Sequence, residues 1–135
     1  MKIILDTNVL ISGIFFSGPP AEILKAWQNG DIQLILSSEI ADEYIRVAKI
    51  LAVGFTGIDI NPILTLIITH SEIIQASPLS HQVCEDPDDD KFLACAIGSN
   101  SKIIISGDKH LLKLSGYRGI HILTPRSFVA QYLKK

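Results

Sequence analysis

Four acidic positions in this sequence have the type and placement to do chemistry together: Asp6, Glu43, the Asp89/Asp90 pair and Asp108. Each has an ordinary role open to it. Asp6 and the acids of 86–90 suit helix N-termini, where a carboxylate caps free amides and meets the positive end of the helix dipole. Glu43 could be satisfied by a lysine or a hydrogen bond. Four such acids are harder to explain separately, because carboxylates gathered in a low-dielectric cleft repel one another unless cations lie between them. Ligation by oxygen alone selects Mg²⁺ or Mn²⁺. Mg²⁺ keeps few protein ligands and takes substrate phosphate oxygens, which points to a phosphodiester substrate. One metal can activate water while a second, roughly 4 Å away, stabilises the leaving oxygen of an in-line displacement.

The neighbouring residues say which elements must position these acids. The apolar run Ile3-Ile4-Leu5 reads as a strand that delivers Asp6, Thr7 and Asn8 at its C-terminal end, where open α/β sheets place their ligands. Ser37 and Ser38 offer an N-cap, with Glu39 in the first turn, for a helix running to about Leu51. At about 100° per residue Glu43 falls beside Ile40 and Val47, at the margin of the apolar stripe, whereas Asp42 and Arg46 point to solvent. A helix from about Asp88 to Ile97, ending at Gly98, is apolar nearly all round through Phe92-Leu93-Ala94-Cys95-Ala96-Ile97 and is therefore buried. Asp89 projects over Phe92 and Leu93, and Asp90 over Leu93 and Ala94, so either could face inward. Ile103-Ile104-Ile105 is the most strand-like segment. It ends in Ser106-Gly107-Asp108, where the glycine lets the backbone turn tightly. Lys109, His110 and Lys113 read as surface residues, and His70, His81 and His121 pair with no second ligand type.

The remaining elements complete an alternating pattern. Ala21 to Gln28 has helical spacing stopped by Asn29-Gly30, Ile32 to Leu36 is a strand, Asn61-Pro62 opens a helix, and Glu72 to Ile74 is a short strand. Residues 120, 122 and 123 mark a fifth strand, and Thr124-Pro125 starts a final helix through Phe128, Val129 and Leu133. Strands alternating with helices, several of them continuous apolar runs, predict an α/β fold with a parallel sheet covered on both faces. The 135 residues, 47% hydrophobic and 19% charged, suffice for one domain with a real core. Neither a signal peptide nor a membrane span is apparent, which points to the cytoplasm. Cys84 and Cys95 lack the spacing of a zinc or redox site. A net charge of −2 excludes binding to nucleic acid through a general positive field, so such a partner must be held locally or through metal ions.

Asn8 argues against the aspartyl phosphatases of the haloacid dehalogenase type, which need a second Asp at that place. A receiver-type phosphoacceptor domain needs an Asp ending its third strand, and Glu72-Ile73-Ile74-Gln75 supplies none. The combination Asp6-Thr7-Asn8, Ser38-Glu39-Ile40 with Glu43-Tyr44, Asp86-Pro87-Asp88-Asp89-Asp90-Lys91-Phe92-Leu93 and Ser106-Gly107-Asp108 resembles the PIN domain. It is most similar to the small single-domain PIN toxins of toxin–antitoxin pairs, the VapC-type ribonucleases. The resemblance covers residues 1–135 as a single domain. It implies a three-layer α/β/α fold with about five parallel strands and Mg²⁺- or Mn²⁺-dependent endoribonuclease activity.

Carried over by resemblance, the family's four acids fall on Asp6, Glu43, Asp89 or Asp90, and Asp108. Ungapped counting back from Asp108 favours Asp90 as the metal ligand, while the frequent Asn at that place in the family keeps Asp89 open. Asn8 and Ser106 match the polar residues that orient the acids or water. Expected partners are RNA, a cognate antitoxin and a second copy of the chain. The apolar surface of the two helices from Ser37 to Thr69 is a candidate for either protein contact. A reading of another class is a PIN-like RNA- or protein-binding module with little or no catalysis; a metal titration separates the two.

Overall fold

The computed structural model describes all residues except 56, 58, 134 and 135. Its centre is a five-stranded, all-parallel sheet made of β1 (Lys2–Leu5), β2 (Gln33–Ser37), β3 (Glu72–Ile74), β4 (Ile103–Ile105) and β5 (His121–Leu123), in the spatial order β3-β2-β1-β4-β5. Parallel neighbours need crossovers, and the chain supplies them as helices: α1 (Thr7–Phe15), α2 (Pro19–Gln28), α3 (Ser38–Ala52), α4 (Asn61–His70), α5 (Asp90–Ser99), α6 (Lys109–Leu112) and α7 (Pro125–Phe128), the last running on as a π-helical turn over Val129–Leu133. Successive residues of a strand face opposite sides of the sheet, yet Ile3, Ile4 and Leu5, like Ile104 and Ile105, are all buried. Helices therefore cover both faces, giving the three-layer α/β/α arrangement.

The first strand is the middle one. It pairs with β2 on one side, Ile3 opposite Leu34, and with β4 on the other, Leu5 opposite Ile105. Chain order reverses direction across β1, so the crevice beyond the C-terminal ends of β1 and β4 is the switch point at which such sheets bind ligands. Two satellite features brace that end. Ile11, Ala48, Ile60 and Leu64 form a smaller core joining α1, α3 and α4. The buried Tyr44 hydroxyl donates to the Leu5 carbonyl and ties α3 to the last residue of β1.

Local chemistry accounts for several element ends. Ser37 caps α3 by accepting from the Ile40 amide, and Thr124 caps α7 by accepting from Ser127. Two sequence expectations change. The helix over 88–97 is in fact a 3₁₀ turn over Pro87–Asp89 followed by α5 from Asp90. Nor does it end at Gly98: it runs one residue further and closes on Asn100 in the left-handed conformation, φ 57°. Gly98 has a packing reason instead, since a Cβ there would lie 3.2 Å from Ile74 Cδ1. No described helix is long and apolar enough to cross a membrane.

Candidate active site

The ends of β1 and β4 set the first two acids. The Asp6 amide donates to the Ile105 carbonyl at 2.9 Å, which extends the β1–β4 ladder one step and leaves the Asp6 side chain at the sheet edge, 7% exposed. The Asp6 carbonyl opens α1 by accepting from Val9 and Leu10. Ser106, fully buried after β4, donates from Oγ to Asp6 Oδ2 at 2.6 Å and accepts from the Asp108 amide at 3.0 Å. One hydroxyl thus fixes both the Asp6 carboxylate and the turn carrying Asp108. Asp108 also caps α6, accepting from the His110 amide at 2.9 Å.

Glu43 comes from α3, directed inward as its wheel position suggested. Thr7 Oγ1 donates to Glu43 Oε2, and Lys91 Nζ lies 2.8 Å from Oε1. Arg46 stands further off, 3.9 Å from the same oxygen, and lines the cleft rather than pointing wholly to solvent. Asp86 holds the acidic turn by accepting from the Asp88 amide at 2.9 Å. The result is one polar cleft of about 300 Å³ bounded by Asp6, Asn8, Glu43, Asp86, Asp89 and Asp108, among others.

The turn resolves Asp89 from Asp90. Asp89 opens into the cleft, where no hydrogen bond from a described residue reaches its carboxylate. Asp90 does not join it. Its Oδ1 accepts from Cys84 N at 2.7 Å, and both of its oxygens lie within 3.3 Å of Val83 N, so it fastens the preceding loop to the start of α5. The sequence favoured Asp90 as the metal ligand; here its carboxylate accepts from backbone amides of the preceding loop, and Asp89, not Asp90, lines the cleft. Asn8 lines the cleft but bonds to none of the acids, so it does not orient them in this structure. Among the described residues, the polar group that does orient an acid from the strand ends is Ser106.

Proton affinities follow from these surroundings. Burial raises the Asp6 carboxyl above its ordinary value; the Ser106 hydrogen bond pulls it down, and the charges of Glu43 and Asp108 push it up again. Asp89 is raised to about 6 by burial and by Asp6, Asp86 and Asp108. Asp90 moves the other way, because the bonds from Cys84 and Val83 outweigh its burial. Asp88 is held low by Lys91. Burial lowers the Lys91 ammonium, but its bonds to Glu43 and Asp88 more than offset that and hold it above its usual value. The two thiols are inert: burial pushes Cys95 up to about 12 and Cys84 higher still.

Residues 2–110 match the family model described as PIN domain. The chain belongs to the PIN domain family. A relative at 30% identity, the uncharacterized protein MJ1680 of Methanocaldococcus jannaschii, aligns over 99% of this chain and 93% of its own length. PIN domains are generally nucleases and generally use divalent metal ions. The donor set here fits such an ion in kind, since Asp6, Glu43, Asp89 and Asp108 offer only carboxylate oxygens, and burial together with the neighbouring carboxylates raises the proton affinity of Asp6 and Asp89. Among the described residues, no three acidic, imidazole or thiol groups stand close enough to clasp one ion without some movement.

Thr7, Tyr44 and Lys91 stand within the sequence motifs, but the sequence assigned none of them the contact it makes in this PIN site. Lys91 did carry a signal. A lysine in the first turn of a buried helix opposes the helix dipole, so its presence after an acidic run called for a partner.

Proposed function

We propose that this PIN domain is a Mg²⁺- or Mn²⁺-dependent endoribonuclease whose metal-binding acids are drawn from Asp6, Glu43, Asp89 and Asp108. The observation that carries the reading is the single cleft of about 300 Å³ that gathers these four carboxylates at the switch point of the sheet. When bound, a divalent ion there supplies the positive charge that eases deprotonation of water and offsets the charge developing on the phosphate. The chain's own contribution is positioning. Ser106 holds Asp6 and the Asp108 turn together, and Tyr44 anchors α3 so that Glu43 meets Thr7. Asp89 accepts from no donor of the described residues and is therefore the acid most ready to take a cation. With a net charge of −2, RNA affinity would depend strongly on the ion.

Incubation of the purified protein with a single-stranded RNA and Mn²⁺ tests this. Internal cleavage is expected, and it should disappear with a chelator or on Asp6→Asn. An Asp6→Asn form that cuts as well as the parent would sink the assignment. The resemblance to VapC-type toxins extends the reading to a toxin held in check by an antitoxin and acting as a homodimer. Exposed apolar side chains on α3 and α4, namely Ile50, Leu51, Ile63 and Leu66, support a protein contact there.

A further inference from the structure

Lys91 has no task in the chemistry just described, yet it occupies a costly place. Its Nζ lies 2.8 Å from Glu43 Oε1, 2.9 Å from Asp88 Oδ2 and 3.0 Å from the Asp88 carbonyl oxygen. Side-chain exposure is 13% for Lys91 and 14% for Glu43, so this pair is largely withdrawn from water. An ammonium at the N-terminal end of α5 faces the positive end of that helix, and partial burial adds a desolvation penalty. Two carboxylates and a carbonyl offset both.

The consequence for Glu43 differs from that for the other cleft acids. Both its oxygens already accept, Oε1 from Lys91 and Oε2 from Thr7. Asp89 accepts no side-chain or backbone donor of the described residues, and the Asp108 carboxylate uses only Oδ1, as a cap. Glu43 and Asp88 share one ammonium, so the side of the cleft nearest α3 presents much less negative charge to an arriving cation than the side formed by Asp6, Asp89 and Asp108. Lys91 stands where further positive charge would otherwise be needed.

We propose that Lys91 is a tethered cation that fills the Glu43 side of the cleft, so that the protein binds one divalent ion rather than two, on the side formed by Asp6, Asp89 and Asp108, which must draw together to clasp it. This rests on the reading of the cleft as a Mg²⁺/Mn²⁺ site. Glu43 then serves mainly to hold Lys91, which makes Lys91 a positioning residue and a determinant of metal count.

Counting bound Mn²⁺ by calorimetry and by electron paramagnetic resonance of free Mn²⁺ tests it without reference to cleavage. The wild type and Lys91→Arg should each bind one ion per chain. Lys91→Met should bind two, because Glu43 Oε1 loses its close ammonium and keeps only the more distant Arg46, 3.9 Å away. Since Lys91→Met strands a half-buried carboxylate and could fail to fold, the charge-balanced double variant Lys91→Met/Glu43→Gln is the second arm. It should bind one ion with affinity within about threefold of wild type, because only a neutralised pair has been removed. Two ions in the wild type overturn the proposal, as does a single ion in folded Lys91→Met. A loss of about tenfold or more in the double variant would make Glu43 a ligand of the resident ion and also overturn it. No Mn²⁺ bound by the wild type defeats the metal reading itself, a result distinct from any of these.

Discussion

Asp89 and Asp90 are neighbours on one turn and live in opposite surroundings. Asp90 is saturated: the Val83 and Cys84 amides converge on it and pull its proton affinity below the ordinary range. Asp89 receives no donor from the described residues, faces Asp6, Asp86 and Asp108, and is raised to about 6. The difference teaches how a structural acid and an acid available for a ligand are told apart. A structural carboxylate is paid back by its own fold, whereas one whose repulsion remains unrelieved stores free energy that a cation can release.

Substituting the two residues in turn gives the largest expected effect. Asp89→Asn should reduce Mn²⁺-dependent RNA cleavage by about 100-fold or more, the scale on which loss of one preorganised charge group is felt. Asp90→Ala should keep cleavage within a few-fold of wild type once its folding is confirmed. Parallel single-turnover assays decide the matter, and equal losses in both variants would break the contrast. Stability should show the reverse order. Asp90→Ala leaves two partly buried amides without an acceptor, at a penalty of about 1–3 kcal/mol by urea denaturation. Asp89→Asn removes repulsion and should hold or raise the midpoint.

The sequence made the strand ends legible because hydrophobicity changes abruptly there: Ile3-Ile4-Leu5 stops at Asp6, and Ile103-Ile104-Ile105 stops at Ser106. Glu43 was legible for a similar reason, since α3 is a regular amphipathic helix and its wheel holds true. The wheel fails at the acidic turn. Residues 87–89 form a 3₁₀ turn, so angular positions counted at 100° per residue from Asp88 do not carry over into α5. The acceptor demand that captures Asp90 also comes from backbone amides, which no side-chain pattern announces. Lys91 was hidden by distance, as its partner Glu43 lies 48 residues earlier. Gly98 misled because glycine commonly ends a helix; here it lets the helix approach Ile74.

The smallest effect expected separates the two aspartates by pH rather than by substitution alone. Asp89 binds its proton more tightly in the folded chain, at about 6 against an ordinary 3.8, so between those values the unfolded chain carries fewer protons and stability falls as pH rises. Asp6, raised in the same direction, adds to that slope. Asp90 has the opposite sign. Its folded value is depressed, so its contribution is present above the ordinary carboxylate range and is lost as pH falls through the lowered value, with Asp88 acting alike. Thermal melts of the metal-free protein should therefore show a midpoint that declines modestly from about pH 4 to about pH 6 and also drops below about pH 4. Asp89→Asn should flatten the upper slope and leave the acid-side loss in place, while Asp90→Ala should soften the acid-side loss and leave the upper slope. Mn²⁺ should suppress the upper slope alone, because it relieves repulsion in the cleft and has no purchase on a carboxylate already bonded to Val83 and Cys84. An upper slope unchanged in Asp89→Asn would mean that the free carboxylate of the turn is not the group under strain.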